Sequence, residues 1–239
     1  MKLPILPLSL LVVFVCLFPA SAQKQKQRVI VQTAVVIDES LSVLRMQPSL
    51  YAIPIQRMRL RRRVQITGIA EADGVKFYKV VASRSKLGWL QSDAVAGKFR
   101  TDDEVRFARL VQAAAGFDQL QLAMEFLRMY PTSQFRASML LLFGDLLENA
   151  ATKLSRDASS RLNRRAIAAS GAPVHSFYLN FTMLDRYRKL GVTFLFNAST
   201  RTFHYNGWSW NEIVRKYPAS NESAEARKRL ESLKAKMDS

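Results

Sequence analysis

Five arginines occupy the segment RMRLRRR, residues 57–63, and they are the strongest candidates for binding chemistry in this chain. They are Arg57, Arg59, Arg61, Arg62 and Arg63. Guanidinium groups bind carboxylate and phosphate through paired hydrogen bonds, and like charges this close repel unless a counter-anion is near. The run therefore predicts an anion site. The alternative is a solvated edge strand whose charges deter association with other strands.

The two-residue period of a β-strand determines which face of the strand each of these arginines occupies. In an extended strand, four of them would share one face, and Arg62 would fall on the opposite, apolar row beside Leu60 and Val64. A turn near Arg62 would relieve that conflict.

Residues suited to catalysis or metal binding are sparse. Cys16 is the only cysteine, and it lies in a segment that we expect to be removed, which excludes thiol nucleophiles and cysteine metal sites. His175 and His204 are far apart, and no H-E-x-x-H, G-x-G-x-x-G, P-loop or G-x-S-x-G pattern occurs. Paired carboxylates stay an open alternative because Asp and Glu can meet in space. We therefore expect a non-enzymatic protein with no catalytic residue, metal or cofactor.

The start of the chain predicts export. Lys2 precedes the apolar run Leu3–Phe18, and the small residues A-S-A stand just before Gln23. This pattern is typical of a signal peptide, residues 1–22, which would be cleaved before a short linker, residues 23–27. A retained anchor is the alternative, since the run is barely long enough to span a bilayer. We expect no transmembrane helix beyond it and a periplasmic or extracellular location at the cell envelope.

The chain of 239 residues carries a formal net charge of +17. A charge of this size implies anionic partners or surfaces. Because we expect export, the sequence favours peptidoglycan or other anionic envelope polymers, lipid headgroups and acidic proteins, and we expect no nucleic acid.

Residues 28–97 have the pattern of several short antiparallel strands. Runs rich in Val, Ile and Tyr, such as RVIVQTAVVI and KFYKVVA, alternate with turn signals such as EADG. Such spacing predicts a small barrel or sandwich. The segment EADGVKFYKVVASRSKLGWLQSDAV resembles the end of bacterial SH3-like domains, and LSVLRMQPS resembles their opening. The match fails in part at Arg61–Arg63, which supply no glycine for the family's Lys-Gly turn.

The resemblance implies binding of cell-wall peptide or protein ligands in a shallow groove. The groove aromatics that it implies are Tyr51, Tyr78 and Trp89. We expect Trp89 to fill the barrel, with a groove role as the alternative. Tyr51, in a predicted loop, is the better groove candidate.

Two similar segments mark the second part of the chain, residues 98–239. EFLRMYPTSQFRA begins at residue 125 and EIVRKYPASNESA at residue 212. Each predicts a helix that ends at Tyr-Pro, a serine that caps the next helix, and an antiparallel helix pair. The structural motif residues are Tyr130, Pro131, Ser133, Tyr217, Pro218 and Ser220. The segments resemble tetratricopeptide-like repeats of periplasmic outer-membrane assembly lipoproteins and Tol-Pal accessory proteins, with chance similarity of two helical hairpins as the alternative.

Two local predictions complete this part. Thr101 and Glu104 predict a capping box for its first helix. The segment at about 193–206 alternates aromatic residues around a polar turn and predicts an inserted β-hairpin. We expect its aromatics to dock on the helices, with an exposed tip as the alternative.

We thus predict a multidomain β + α protein, with a small SH3-like β-barrel (28–97) followed by an α-helical TPR-like domain (98–239). The expected function is an exported cell-envelope scaffold, in which the helical repeats bind an envelope protein and the SH3-like domain positions them. The alternative is a targeting module whose basic barrel binds the cell wall or an anionic glycan.

Overall fold

The computed structural model describes residues 32–83 and 86–238. The predicted signal peptide and linker lie outside these residues. Seven strands come first. They are β1 (Gln32–Val36), β2 (Val43–Arg45), β3 (Pro54–Arg57), β4 (Arg63–Ala72), β5 (Val75–Ser83), β6 (Lys86–Gln91) and β7 (Val95–Gly97).

The strands form one antiparallel sheet in the order β3-β2-β6-β5-β4-β1-β7. The sheet is not closed, so the predicted barrel is observed only as an open sheet. Its two edge strands, β3 and β7, are short and pair on one side only, which leaves no ladder to join them. The predicted turn at Asp73 and Gly74 is confirmed: both have positive φ, 54° and 70°, as a tight hairpin turn requires.

The predicted turn within the arginine run is also confirmed. β3 ends at Arg57 and β4 begins at Arg63. Between them Arg61 adopts a φ of 65°, and the backbone N–H of Arg62 donates to the carbonyl of Arg59 at 3.2 Å. The five arginines therefore do not share one strand face.

Eight helices and a hairpin follow in the described part of the chain. They are α1 (Asp103–Ala113), α2 (Gly116–Met129), α3 (Arg136–Arg161), α4 (Arg164–Ser170), α5 (Val174–Leu179), α6 (Asp185–Arg188), β8 (Phe194–Asn197), β9 (Thr202–Tyr205), α7 (Trp208–Lys216) and α8 (Asn221–Asp238). The predicted helix pairs are confirmed, since α2 and α3, and likewise α7 and α8, pack together on either side of a Tyr-Pro corner.

The predicted serine cap of α3 is wrong: the N-cap residue is Phe135, and it makes no side-chain capping hydrogen bond. The Oγ of Ser133 accepts a hydrogen bond from the backbone N–H of Phe135, just before α3, at 2.9 Å. The Oγ of Ser220 is buried without a partner among the described residues. The predicted capping box is wrong: α1 begins at Asp103 with no side-chain cap, because the Glu104 carboxylate instead accepts from the hydroxyl of Ser133.

The predicted hairpin is confirmed, with Phe194 paired to Tyr205 and Phe196 paired to Phe203. Its aromatics dock on the helices, as expected. The rings of Phe196 and Tyr178 stack with centroids 5.0 Å apart, and Tyr205 meets Trp210 edge-on at 5.2 Å. These contacts bury apolar ring surface that an isolated two-stranded hairpin would leave in water.

A buried carboxylate joins the sheet to the helices. Asp103 is fully buried at the start of α1 and accepts from the backbone N–H of Gly97 in β7 at 2.8 Å. It also accepts from Arg100 Nε at 2.9 Å and from Arg106 Nη2 at 2.8 Å. Apolar packing crosses the same junction, because Ile37 and Ala96 of the sheet region belong to the helical core.

Tyr130 provides a second link across this junction, and we expect it to make stability depend on pH in alkali. Its hydroxyl donates to the carbonyl of Gly97 at 3.1 Å. Burial, with the nearby carboxylates of Asp103 and Glu104, raises the pKa of Tyr130 from 10.0 to about 12. The folded state holds this proton more tightly than the unfolded state, so the contribution is complete below pH 10 and is lost as the pH rises towards 12.

The measurement is urea unfolding at several pH values, in the wild type and in Tyr130→Phe. At neutral pH the variant should lose about 1 kcal/mol, the usual contribution of one hydrogen bond. Above pH 10 the free energy of unfolding should fall less steeply in the variant. Equal slopes in the two proteins would contradict the assignment.

Candidate functional site

Two neighbouring cavities lie against α2 and share Arg128 as a lining residue. The first, of about 480 Å³, lies between the sheet and the C-terminal half of α2. The second, of about 450 Å³, lies between α2, α3 and the segment that leads into α7. We call them the sheet-side and helix-side cavities, and together the α2 groove.

The sheet-side cavity is cationic. Its charged lining residues are Arg63 from β4, Lys98 from the segment after β7, and Arg128 and Glu125 from α2. Three positive side chains thus face one carboxylate. Apolar residues complete the wall, namely Val35, Phe99 and Met129. A cleft with apolar walls and a few convergent charges is the usual form of a ligand site.

Glu125 organises the charges of this cavity. Its side chain is only 3% exposed and receives a hydrogen bond from Arg128 Nη1 at 3.2 Å. Arg63 Nη2 lies 3.6 Å and Arg61 Nε 3.8 Å from the same carboxylate, beyond the length of a charge-assisted hydrogen bond. Among the described residues, Arg61 Nε is buried with no hydrogen-bond partner. One carboxylate therefore faces three guanidinium groups and leaves a positive excess.

The predicted arginine cluster is only partly assembled. Arg61 and Arg63 converge on Glu125, whereas Arg57 donates to the carbonyls of Glu39 and Ser40 at 2.8 and 2.6 Å. The other two diverge as well. Arg62 donates to the carbonyl of Ala82 at 2.7 Å, and Arg59 is exposed.

Three charged residues of this cavity were not predicted: Lys98, Glu125 and Arg128. A usable signal was present for two of them, because Glu125 and Arg128 are among the positions that the two repeat segments share. Their pairing with arginines from the sheet was not visible in the sequence.

The predicted groove aromatics lie apart, and none of them lines the α2 groove. Tyr78 is 4% exposed and belongs to the core of the sheet. Trp89 is half-buried on β6, with Lys79 Nζ 6.0 Å from its ring centroid. Tyr51 is 89% exposed on the loop between β2 and β3. Asp73 holds that loop by accepting hydrogen bonds from Ser49 Oγ and from the backbone N–H of Leu50, both at 2.7 Å.

The helix-side cavity is mostly apolar. Its apolar lining includes Met124, Leu127, Phe143, Leu147 and Val192, together with Trp208, which is 51% exposed. Two arginines complete it. Arg136 is already neutralised by Glu212, which accepts from its Nη2 at 2.8 Å. Among the described residues, Arg128 has only the carboxylate of Glu125 as a counter-charge, and Glu125 also lines the sheet-side cavity.

A second polar cluster serves to dock the hairpin. His204 Nδ1 lies 3.1 Å from a carboxylate oxygen of Glu148, and His204 Nε2 lies 2.9 Å from the hydroxyl of Thr202. Glu148 also accepts from the backbone N–H of Tyr205 and from Lys236 Nζ, each at 2.8 Å. Burial raises the pKa of Glu148, but these hydrogen bonds outweigh it and hold the pKa below its usual range. The carboxylate thus joins α3, β9 and α8.

Within residues 32–83 and 86–238, no three His, Cys, Asp or Glu side chains are grouped closely enough to hold a metal ion. Nor does this part of the chain contain a helix with the length and hydropathy needed to cross a bilayer.

Comparison with protein-family models, with curated proteins and with solved structures found no match to this chain.

Proposed function

We propose that this chain is an exported, non-enzymatic cell-envelope scaffold that binds a segment of another protein in the α2 groove. The observation that carries this proposal is that two cavities of similar volume lie on adjacent faces of α2 and share the half-exposed Arg128 as a lining residue. Residues of the sheet, of the first helix pair and of α7 all contribute to the groove. An elongated surface built from several elements suits a polypeptide better than a small metabolite.

The family resemblances support this function as part of the same proposal. Strand β6 contains Gly88 and Trp89 and is followed by a short helical turn at Ser92–Ala94, an order that resembles the end of SH3-like domains. Each Tyr-Pro segment joins two packed helices, as in tetratricopeptide-like repeats. We propose that the sheet is an open variant of the SH3-like fold that holds the helix pairs in position.

A crosslinking pull-down from the native cell envelope tests the proposed function. We expect the wild-type chain to capture a protein in stoichiometric amount and Arg128→Glu to reduce the capture about tenfold, because charge reversal in a buried contact costs more than about 1.4 kcal/mol. The matched control is Arg156→Glu, which reverses an exposed charge on α3 outside both cavities. Circular dichroism establishes that both variants are folded. The proposal fails if the wild type captures no protein, or if Arg128→Glu captures as much as the wild type.

A second candidate function is binding of the cell wall or an anionic glycan by the sheet. The observation that favours it is a row across β2, β6 and β5, where Arg45 and Lys79 both pair with Trp89. Arg45 also donates to the carbonyl of Ala52, next to the exposed Tyr51. Sedimentation of the protein with purified wall material, weakened by added salt, would favour this function over the scaffold.

A further inference from the structure

We propose that the partner segment bound in the α2 groove carries a carboxylate and, within about four residues of it, a bulky apolar side chain. This inference rests on the proposed function, because it specifies the chemistry of the segment that the groove binds. The carboxylate enters the sheet-side cavity and the apolar side chain enters the helix-side cavity.

The requirement for a carboxylate follows from the charges of the sheet-side cavity. Arg63, Lys98 and Arg128 face it, and Glu125 is the only carboxylate among the described residues that line it. Within the described part of the chain, Glu125 accepts a side-chain hydrogen bond from Arg128 alone, so the donors of Arg63 remain available to an incoming anion. In an unmodified polypeptide, the anionic groups at neutral pH are the carboxylates of Asp, Glu and the C-terminus. A guanidinium fork binds such a group through two parallel hydrogen bonds.

The buried Nε of Arg61, which has no hydrogen-bond partner among the described residues, also favours a carboxylate ligand. Leaving a buried donor without an acceptor is unfavourable, and this one lies beside the carboxylate of Glu125, 3.8 Å away. A ligand carboxylate that binds Arg63 and Arg128 competes with Glu125 for these two guanidinium groups. The carboxylate of Glu125 is then free to accept a hydrogen bond from Arg61 Nε. Ligand binding thus gives the Nε of Arg61 an acceptor that it lacks in the free protein.

The requirement for an apolar side chain follows from the helix-side cavity. Its apolar lining includes Met124, Leu127, Phe143 and Val192, together with Trp208, which is 51% exposed. The volume of about 450 Å³ accommodates an aromatic or a large aliphatic side chain. Burial of such a side chain supplies affinity, while the carboxylate supplies orientation.

The spacing follows from the residues that α2 supplies to each cavity. Glu125, Arg128 and Met129 line the sheet-side cavity, and Met124, Leu127 and Arg128 line the helix-side cavity, so the two cavities lie about a quarter-turn apart around the helix. Across a helix of about 10–12 Å in diameter, this is a distance of about 8 Å. An extended peptide rises about 3.3 Å per residue, so two to three residues cover the distance and a fourth allows for the curvature around Arg128.

Panning of a random heptapeptide library on the immobilised full chain tests this inference. We expect the enriched peptides to contain Asp or Glu within four residues of Phe, Tyr, Trp, Leu or Met. A synthetic peptide of the enriched sequence should bind about tenfold more weakly when its acid is replaced by the amide, because the charge-assisted hydrogen bonds are lost. Arg128→Glu should abolish the enrichment, and Arg156→Glu should retain it.

The inference is overturned if the library yields no enriched peptide, if the enriched peptides lack a carboxylate, or if they bind Arg128→Glu equally well. These outcomes are separable from failure of the scaffold function. A partner captured from the envelope in an Arg128-dependent manner, together with peptides that lack an acid, would leave the function standing and remove this inference. Enriched peptides that carry both an acid and an apolar side chain, without any protein captured from the envelope, would support this inference and contradict the scaffold function.

Discussion

Replacing Asp103 with alanine should lower the free energy of unfolding by about 3 kcal/mol, because it breaks a buried ion pair by removing one partner. Asp103 is fully buried and accepts hydrogen bonds from Gly97, Arg100 and Arg106. Its removal leaves the N–H of Gly97 without an acceptor and two guanidinium groups without a counter-charge. The side chains of both arginines are about a quarter exposed, and both also donate to the carbonyl of Val95. We therefore expect a loss at the lower end of the range for such pairs.

Urea unfolding at neutral pH, followed by circular dichroism, measures this effect. The matched control is Asp102→Ala, which removes the exposed neighbouring carboxylate and should change stability by no more than about 0.5 kcal/mol. Asp103→Asn should lie between the two, since the amide oxygen still accepts a hydrogen bond but carries no charge. If Asp103→Ala and Asp102→Ala unfold at the same urea concentration, the junction does not depend on this carboxylate.

The second large effect is expected for Glu212→Ala, which should also lower the free energy of unfolding, by about 3–5 kcal/mol. Arg136 and Glu212 are both buried, and Glu212 Oε1 accepts from Arg136 Nη2 at 2.8 Å and from Nε at 3.1 Å. Without Glu212, the guanidinium stays buried at the contact between α3 and α7, and the carbonyl of Leu127 is its only remaining acceptor in the described part of the chain. An uncompensated buried charge is among the most destabilising changes in a protein core.

The double variant Arg136→Met, Glu212→Leu provides the control. Replacing a buried pair by apolar side chains of similar volume is often close to neutral, so the double variant should recover most of the stability that Glu212→Ala loses. A double variant as unstable as Glu212→Ala would mean that packing at this position, rather than the buried charge, dominates the loss.

The stabilisation by the pair of Arg136 and Glu212 should be lost in acid. Burial raises the pKa of Glu212, but the hydrogen bond and charge of Arg136 outweigh it, so the folded pKa lies below the ordinary value of 4.5. The folded state therefore holds this proton less tightly than the unfolded state. The stabilisation is present above pH 4.5 and is lost as the pH falls through the lower, folded pKa. The difference between the wild type and Glu212→Ala should shrink in that acidic range.

The two repeat segments acquire a physical explanation from these contacts. Glu125 and Glu212 occupy the same position in the two copies, and they are the two buried glutamates among the described residues. Glu212 binds Arg136 of the preceding helix pair, and Glu125 faces Arg61 and Arg63 of the preceding sheet. Each helix pair thus docks on the unit before it through one buried carboxylate. The shared glutamate was visible in the sequence, but its arginine partners were not.

Local patterns predicted the elements of this protein well where short-range physics decides them. The Asp73–Gly74 turn, the Tyr-Pro helix ends and the hairpin at 194–205 depend on residues a few positions apart, and all three are observed. The capping box failed because Glu104 found a partner in Ser133, far away in the chain. The barrel was predicted from strand count and spacing, which do not determine whether two edge strands meet.

The sequence by itself determined the types of element, their order and the strong positive charge, because side-chain period, turn chemistry and composition act locally or add over the whole chain. Only the tertiary structure decided which charges meet. A turn at Arg61 disperses the five arginines of residues 57–63, and folding then brings Arg61 and Arg63 to Glu125 and Arg128, more than sixty positions later. Such an encounter depends on how the sheet packs against α2, and no local pattern encodes it. The α2 groove is a property of that packing.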